Sequence, residues 1–393
     1  MNKYIILVGD GMADFAIPEL GNKTPLEYAH TPNMDLVAKN GMVGLVSTVP
    51  EGFSPGSDVA NLSLMGYAPQ HYYSGRAPVE AASLGISLQS NQTAFRCNLV
   101  TIENERMIDY SAGHIDTITA TAIINELQKA FGTETIRFHP GVGYRHLTII
   151  DNFPDGLICT PPHDITDREI YEYLPHGNSV ELIKSLMREA RKVIASTDAV
   201  KRKNKEGLRV PTDIWLWGQG HAVKLPYLSE RYGIKGSVIS AVDLIRGLGI
   251  LAGLEVRIVE GATGYLGTNY KGKMAAAIEA LEKEDFVYLH IEAPDETSHE
   301  GSLQKKIQAI EEFDKNIVGE TLKIQQEMGN LRILVAPDHA TPVILKTHAP
   351  GAVPYTICGP GVSTDDATSY CELSAEGKTV VSGPELFEFF IKG

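Results

Sequence analysis

The sequence predicts a mostly parallel α/β sheet with helices on both faces, interrupted by a smaller inserted α+β domain. Three observations predict it. Short apolar runs alternate with helix-period segments toward both ends of the chain, as strands buried on both faces and joined by helices require. The stretch from about Arg76 to Lys205 instead reads as antiparallel hairpin material followed by a helix. Finally, 393 residues exceed what one ordinary core organises, so two domains are expected.

The N-terminal run "MNKYIILVGDG" ends in Gly-Asp-Gly rather than in a small-residue cleavage site, so it reads as a buried strand and not a signal peptide. In "PGSDVANLSLMGY" a Pro-Gly turn opens a helix at Ser57; taken alone, this serine is an ordinary cap. "TAFRCNLVTIENERMIDYS" and "YRHLTIIDNF" supply antiparallel strands, and "SVELIKSLMREARKVIAS" a helix. The polar run "KRKNKEG" then reads as a solvated linker back to the core. "DIWLWG", "EVRIVEG", "DFVYLHIEA" and "RILVAPD" are the remaining core strands. The core is thus expected at residues 1–75 and 206–393, and the inserted substrate-binding or cap domain at 76–205.

Hydrophobic residues at 43% and charged ones at 21% give the balance of a soluble globular protein, and no apolar run approaches the roughly 18 residues of a membrane span. The net charge of −14 argues against a nucleic-acid partner. Four scattered cysteines without CxxC spacing favour reduced thiols and a cytoplasmic location. A homo-oligomer is left open.

Three strand candidates end in an aspartate: "ILVGDG" (Asp10), "LHIEAPDETSH" (Asp295) and "LVAPDHAT" (Asp338). Ligands of open α/β sheets bind beyond the carboxyl ends of strands, so these acids are expected to converge. His299 lies four residues after Asp295, on the same helical face; His339 follows Asp338, and "KTHAP" adds His348. Carboxylate plus imidazole suits zinc, manganese or similar divalents, and six candidate ligands exceed what one tetrahedral ion takes. Two divalent ions (manganese, magnesium or zinc) are therefore expected, an arrangement suited to phosphoryl transfer. Beside them, a serine at a helix start becomes a nucleophile, its alkoxide stabilised by the ions and by the helix dipole.

Together "VGDGMAD", "TPNMDLVAKNG", "PGSDVANLSLMGY", "SGRAPVEAASLGI", "GATGYLGTNYKGK", "EAPDETSHEG", "APDHATPV" and "KTHAPGAVPY" resemble the cofactor-independent phosphoglycerate mutases of the archaeal type, in the alkaline-phosphatase superfamily. The resemblance implies an alkaline-phosphatase-like core and a nucleophile at Ser57. It implies one ion held by Asp10, Ser57, Asp338 and His339, and another by Asp295, His299 and His348. It also implies a small phosphorylated substrate, transfer through phosphoserine between 2- and 3-phosphoglycerate, and an inserted domain that closes to exclude water. The substrate positions depart from the pattern. "DYSAGHID" carries Tyr110, Ser111 and His114 where the mutases have arginines, and "LWGQGH" carries Trp217 and Gln219 where they have Arg-Gly. Arg76, Arg96 and Arg145 remain as anion-binding candidates, with Lys273, and Asp243 with Arg246, as weaker substrate-binding candidates on the core side. This departure is similar to a bacterial branch with a proposed homoserine kinase role, so a phosphotransferase acting on a small hydroxy-amino acid is the alternative.

Overall fold

A computed structural model describes residues 2–205 and 209–393. The chain forms two compact units, Met1–Tyr73 with Lys224–Gly393, and Ser74–Val223. In the larger unit eight strands form one sheet, in the order Glu255–Val256, Gly236–Ile239, Phe286–Ile291, Lys3–Gly9, Leu331–Ala336, Val353–Cys358, Gly41–Ser47 and Val380–Ser382. Among them Val353–Cys358 alone runs antiparallel to its neighbours.

The apolar runs explain the centre of this sheet. In Lys3–Gly9 the residues after Lys3 are all buried, and Leu7 pairs with Leu289 on one side and Val335 on the other. Alternate side chains leave opposite faces of a strand. Ile5 and Leu7 join a core with Met274 and Ala277 of helix Tyr270–Lys283 and with Ile310 and Phe313 of helix Leu303–Phe313. Tyr4 instead packs edge-on against Phe390 of helix Gly383–Lys392, whose Phe387 packs against Phe286. Helices therefore cover both faces.

The smaller unit is built on the long strand Gln92–Glu103, which pairs antiparallel with Arg106–Asp109, Arg145–Asp151 and Asp213–His221; Ile136–His139 adds to Arg145–Asp151. Asn104 and Glu105 both take positive φ, the geometry of a tight two-residue hairpin turn. Helices Thr117–Phe131 and Val180–Ser196 bury Ile123, Leu127, Ile183 and Ala190 against Phe95, Leu99 and Trp215 of this sheet.

Several sequence expectations need correction. "DIWLWG" is not a core strand. It belongs to Asp213–His221, where Leu216 pairs with Cys97 and Ile214 with Leu99, so the smaller unit extends well past residue 205. An apolar run signals burial, but it does not say in which sheet. Of "EVRIVEG" only Glu255–Val256 is strand, at the sheet edge. Of "KRKNKEG", residues through Lys205 continue helix Asp198–Lys205; residues 206–208 lie outside the described ones. Gly41–Ser47 and Val353–Cys358 are strands the sequence reading passed over; Pro354 inside the second demotes it as a strand candidate. Among the described residues no helix is long and apolar enough to cross a membrane. All four cysteines are free.

Candidate active site

Lys3–Gly9 lies between Phe286–Ile291 and Leu331–Ala336, all parallel, so their carboxyl ends share one sheet edge. Asp10 leaves the first strand directly. Asp338 follows the third after one intervening residue, and Asp295 sits in the short helix Ala293–His299 after the second. That helix carries Pro294 in its first turn, where a missing N–H costs nothing. Its periodicity sets Asp295 and His299 on one side, with His299 Nε2 3.1 Å from Asp295 Oδ2.

His348 completes this first group: its Nε2 lies 3.2 Å from His299 Nε2 and 3.6 Å from Asp295 Oδ1. Both rings are fixed from behind. His299 Nδ1 is 2.9 Å from the Lys346 carbonyl, and His348 Nδ1 is 3.2 Å from the Pro55 carbonyl. A carbonyl can only accept, so both Nδ1 atoms carry protons and both Nε2 atoms turn toward Asp295. Burial disfavours charge here, but the Asp295 carboxylate outweighs it, raising His299 to about 9 and His348 above its ordinary value. Burial likewise opposes the Asp295 charge, yet the two histidines hold its carboxyl well below the usual range.

The second group is Asp10, Asp338 and His339, all buried. His339 Nε2 lies 3.5 Å from Asp10 Oδ1, 3.4 Å from Asp338 Oδ2 and 3.2 Å from Ser57 Oγ. Burial, with Asp338, Asp295 and Glu292 nearby, drives the Asp10 carboxyl well above its ordinary value. Burial also lowers His339. The two groups adjoin, since the rings of His339 and His348 are 4.2 Å apart. Ser57 opens helix Ser57–Leu64, but Gly56 occupies the cap position and Ser57 caps nothing; its hydroxyl faces the His339 ring instead.

Residues the sequence reading did not single out hold these ligands in place. Asn61, one turn along the Ser57 helix, donates to Asp338 Oδ2 at 2.7 Å and accepts from the Tyr288 hydroxyl at 2.6 Å. Thr341 donates to Asp295 Oδ1 at 2.5 Å and lies 3.1 Å from His339 Nδ1, so one hydroxyl joins a ligand of each group. Gly11, at φ +60°, donates to Asp338 Oδ1; a Cβ there would sit 2.4 Å from Asp295 Oδ1. The "GDG" and "DHAT" spacings were signals for Gly11 and Thr341. Asn61 has none beyond its place one turn after Ser57.

The donors fit divalent metal ions. The Nε2 atoms of His299 and His348 are 3.2 Å apart and turned toward Asp295, where a cation would take the place of their protons, and Asp10 Oδ1 is buried with no hydrogen-bond partner.

Lys273 is buried in helix Tyr270–Lys283 with Nζ 3.2 Å from the His290 carbonyl, and burial lowers it to about 8. Arg246 pairs with Asp243 at 3.2 Å and donates to the Ser240 carbonyl. In the smaller unit, Arg96 is buried, 2.9 Å from Glu80 and stacked over Trp217 at 4.3 Å. Arg76 meets the same Glu80 at 3.0 Å, whereas Arg145 is exposed with its guanidinium over Tyr144. Trp217 thus gives Arg96 a π face. In "DYSAGHID", Asp109 accepts from the backbone of Ser111 and Gly113, and Tyr110 packs on Tyr144 and His163.

The family model of 2,3-bisphosphoglycerate-independent phosphoglycerate mutase matches residues 38–199. A probable 2,3-bisphosphoglycerate-independent phosphoglycerate mutase of Geobacter sulfurreducens is 48% identical, covering 99% of this chain and 99% of its own. The chain belongs to the 2,3-bisphosphoglycerate-independent phosphoglycerate mutase family. A further member, from Methanosarcina acetivorans, is 51% identical over 94% of this chain and 93% of its own. A solved protein of Pyrococcus horikoshii superposes with a TM-score of 0.81 at 28% identity, covering 99% of this chain and 96% of that one. The cofactor-independent phosphoglycerate mutase of Thermoplasma acidophilum has the same fold, with a TM-score of 0.65 at 24% identity and coverage of 100% and 99%.

Proposed function

We propose that the protein interconverts 2-phosphoglycerate and 3-phosphoglycerate by phosphoryl transfer through Ser57. The observation that carries this is the Ser57 hydroxyl at a helix start, 3.2 Å from His339 Nε2 and beside the Asp10–Asp338–His339 group. Asp10, Asp338, His339 and Ser57 would hold one divalent ion, and Asp295, His299 and His348 the other. The ions supply Lewis-acid stabilisation of phosphate oxygens.

The chain's own residues do the rest. The N-terminal amides of the Ser57 helix favour negative charge on the serine oxygen and on the phosphoryl group it receives. Ser57 gives up its proton and attacks the substrate phosphorus, while the bond to the glycerate oxygen breaks and that oxygen takes up a proton. The other glycerate hydroxyl then loses its proton and attacks phospho-Ser57; the Oγ–P bond breaks and the serine oxygen regains a proton. Asn61, Thr341 and Gly11 keep the carboxylates and His339 still during both transfers, so no reorganisation is needed when charge develops. On the smaller unit, Arg145 is the arginine we assign to the substrate carboxylate, because Arg96 is already committed to Glu80 and Trp217.

The test is Ser57→Ala with 3-phosphoglycerate as substrate. Turnover is expected to fall by more than a hundredfold, typical for loss of a covalent nucleophile. The peptide carrying Ser57 is expected to gain one phosphoryl mass in quenched wild-type protein, and activity above about one per cent in the variant would remove Ser57 as nucleophile.

A further inference from the structure

We propose that Lys306 is a positioning residue for both ligand groups, taking those groups as metal sites: its ammonium ties together the three segments that carry the ligands. Lys306 lies in helix Leu303–Phe313, where Lys306, Ala309, Ile310 and Phe313 are buried at i, i+3, i+4 and i+7. A lysine thus stands at a core position of an amphipathic helix, and its side chain is fully buried. Lysine is almost never buried to this extent without a partner, and neither phosphoryl transfer step uses this one. Its Nζ donates to Asp14 Oδ2 at 2.8 Å, to the Thr341 carbonyl at 2.9 Å and to the Ala13 carbonyl at 3.2 Å. All three N–H bonds of the ammonium are therefore engaged.

Each partner belongs to a different ligand-bearing segment. Ala13 and Asp14 lie in the loop that begins with Asp10, and Thr341 in the loop that carries Asp338, His339 and His348. The Lys306 helix itself follows helix Ala293–His299, which bears Asp295 and His299, after residues 300–302. The loops also pair directly: the Thr341 amide donates to the Ala13 carbonyl at 3.1 Å and the Val343 amide to Asp14 Oδ2 at 3.0 Å. Ala349, the neighbour of His348, donates to the Ala340 carbonyl at 2.9 Å. Thr341 passes the restraint on. Its backbone is held at the amide by Ala13 and at the carbonyl by Lys306, while its hydroxyl donates to Asp295 Oδ1 and meets His339 Nδ1. A buried ion pair is by itself a poor source of stability, because desolvation of two charges offsets their attraction. An apolar side chain would fill this helix position without that cost, but it could not bond two carbonyls. Asp14 offsets the lysine charge, and the two carbonyl bonds fix the ligand loops.

The test compares two variants of the full-length protein. Asp14→Asn keeps Lys306, whereas Lys306→Met/Asp14→Asn removes it without stranding a buried carboxylate, methionine having about the reach of the lysine stem. Each is stripped with a chelator and titrated with Mn²⁺ or Zn²⁺ against a chromophoric chelator, and circular dichroism shows whether it is folded. The double variant is expected to bind both ions at least about 10-fold more weakly than Asp14→Asn, as when an outer support of a metal ligand is lost. A merely structural role would lower the melting temperature and leave the affinity of the folded protein within about twofold, and that result overturns the proposal. Weakening of one ion alone overturns it too, because Lys306 joins segments of both groups. If the double variant does not fold, Lys306→Gln/Asp14→Asn carries the same comparison, since the shorter amide cannot span both carbonyls. A wild type that binds no divalent ion overturns the metal reading and this inference with it. A wild type that binds the ions but leaves phosphoglycerate unchanged defeats the mutase reading alone, and the affinity comparison still decides the role of Lys306.

Discussion

Replacing Thr341 with valine removes one hydroxyl and almost nothing else, because the two side chains share a shape. The residue is fully buried. Its hydroxyl donates to Asp295 Oδ1 at 2.5 Å and lies 3.1 Å from His339 Nδ1, so one change disturbs a ligand of each metal group. A hydrogen bond to a carboxylate is worth about 1.5–3 kcal/mol, and leaving the His339 Nδ1 proton unsatisfied costs about 1–3 kcal/mol more. The metal-free variant should therefore be less stable by roughly 2.5–6 kcal/mol. Loss of an outer partner of a metal ligand typically weakens metal binding by about 10–100-fold. The assay is competition for Zn²⁺ or Mn²⁺ against a chromophoric chelator, with a thermal melt of the stripped protein alongside. Thr341→Ser keeps the hydroxyl and should recover most of the affinity. An affinity within about twofold of wild type for Thr341→Val, with an unchanged melt, would refute the idea that this hydroxyl orients both groups.

Four further outcomes are expected. Gly11→Ala forces a Cβ to 2.4 Å from Asp295 Oδ1 at a left-handed φ, so it should destabilise by about 2–4 kcal/mol and lower metal affinity; a normal denaturation midpoint would mean the loop yields freely. Chelation should abolish turnover and a divalent ion restore it, whereas activity surviving verified metal removal would exclude the metal-assisted route. Arg145→Ala should lower kcat/KM for phosphoglycerate by about 10²-fold, mainly through KM, and unchanged kinetics would remove Arg145 as the carboxylate ligand. His146 accepts from the Gly141 amide, and burial pushes it down to about 3, below its unfolded value of about 6.5. The unfolded chain thus binds more protons in that window, so stability present above pH 6.5 falls as pH drops, by about 1.4 kcal/mol per unit at most. Urea midpoints from pH 7 to pH 4.5 should fall less steeply for His146→Gln, and parallel slopes would contradict this.

What the sequence determined by itself was local and chemical. "YIILVG" and "ILVA" read as strands buried on both faces, being short apolar runs closed by a Gly-Asp-Gly or Pro-Asp turn. The aspartates that follow them can only lie at the strands' carboxyl ends. Helical periodicity joined Asp295 to His299. The tertiary structure alone decided which strand joins which sheet. Asp213–His221 is as apolar as a core strand, and only its pairing with Gln92–Glu103 places it in the smaller unit. It also decided which polar side chains accompany the ligands. Asn61 reaches Asp338 across 277 residues of sequence and Thr341 reaches Asp295 across 46, separations at which no periodicity operates. His290 was hidden for the opposite reason: within "FVYLHI" it reads as one more buried strand position. Only the neighbouring strand, which brings Asp10 Oδ2 to 3.0 Å, shows that the ring faces a carboxylate. Periodicity fixes the direction of a side chain relative to its own strand or helix, whereas the partner it meets depends on how distant segments pack.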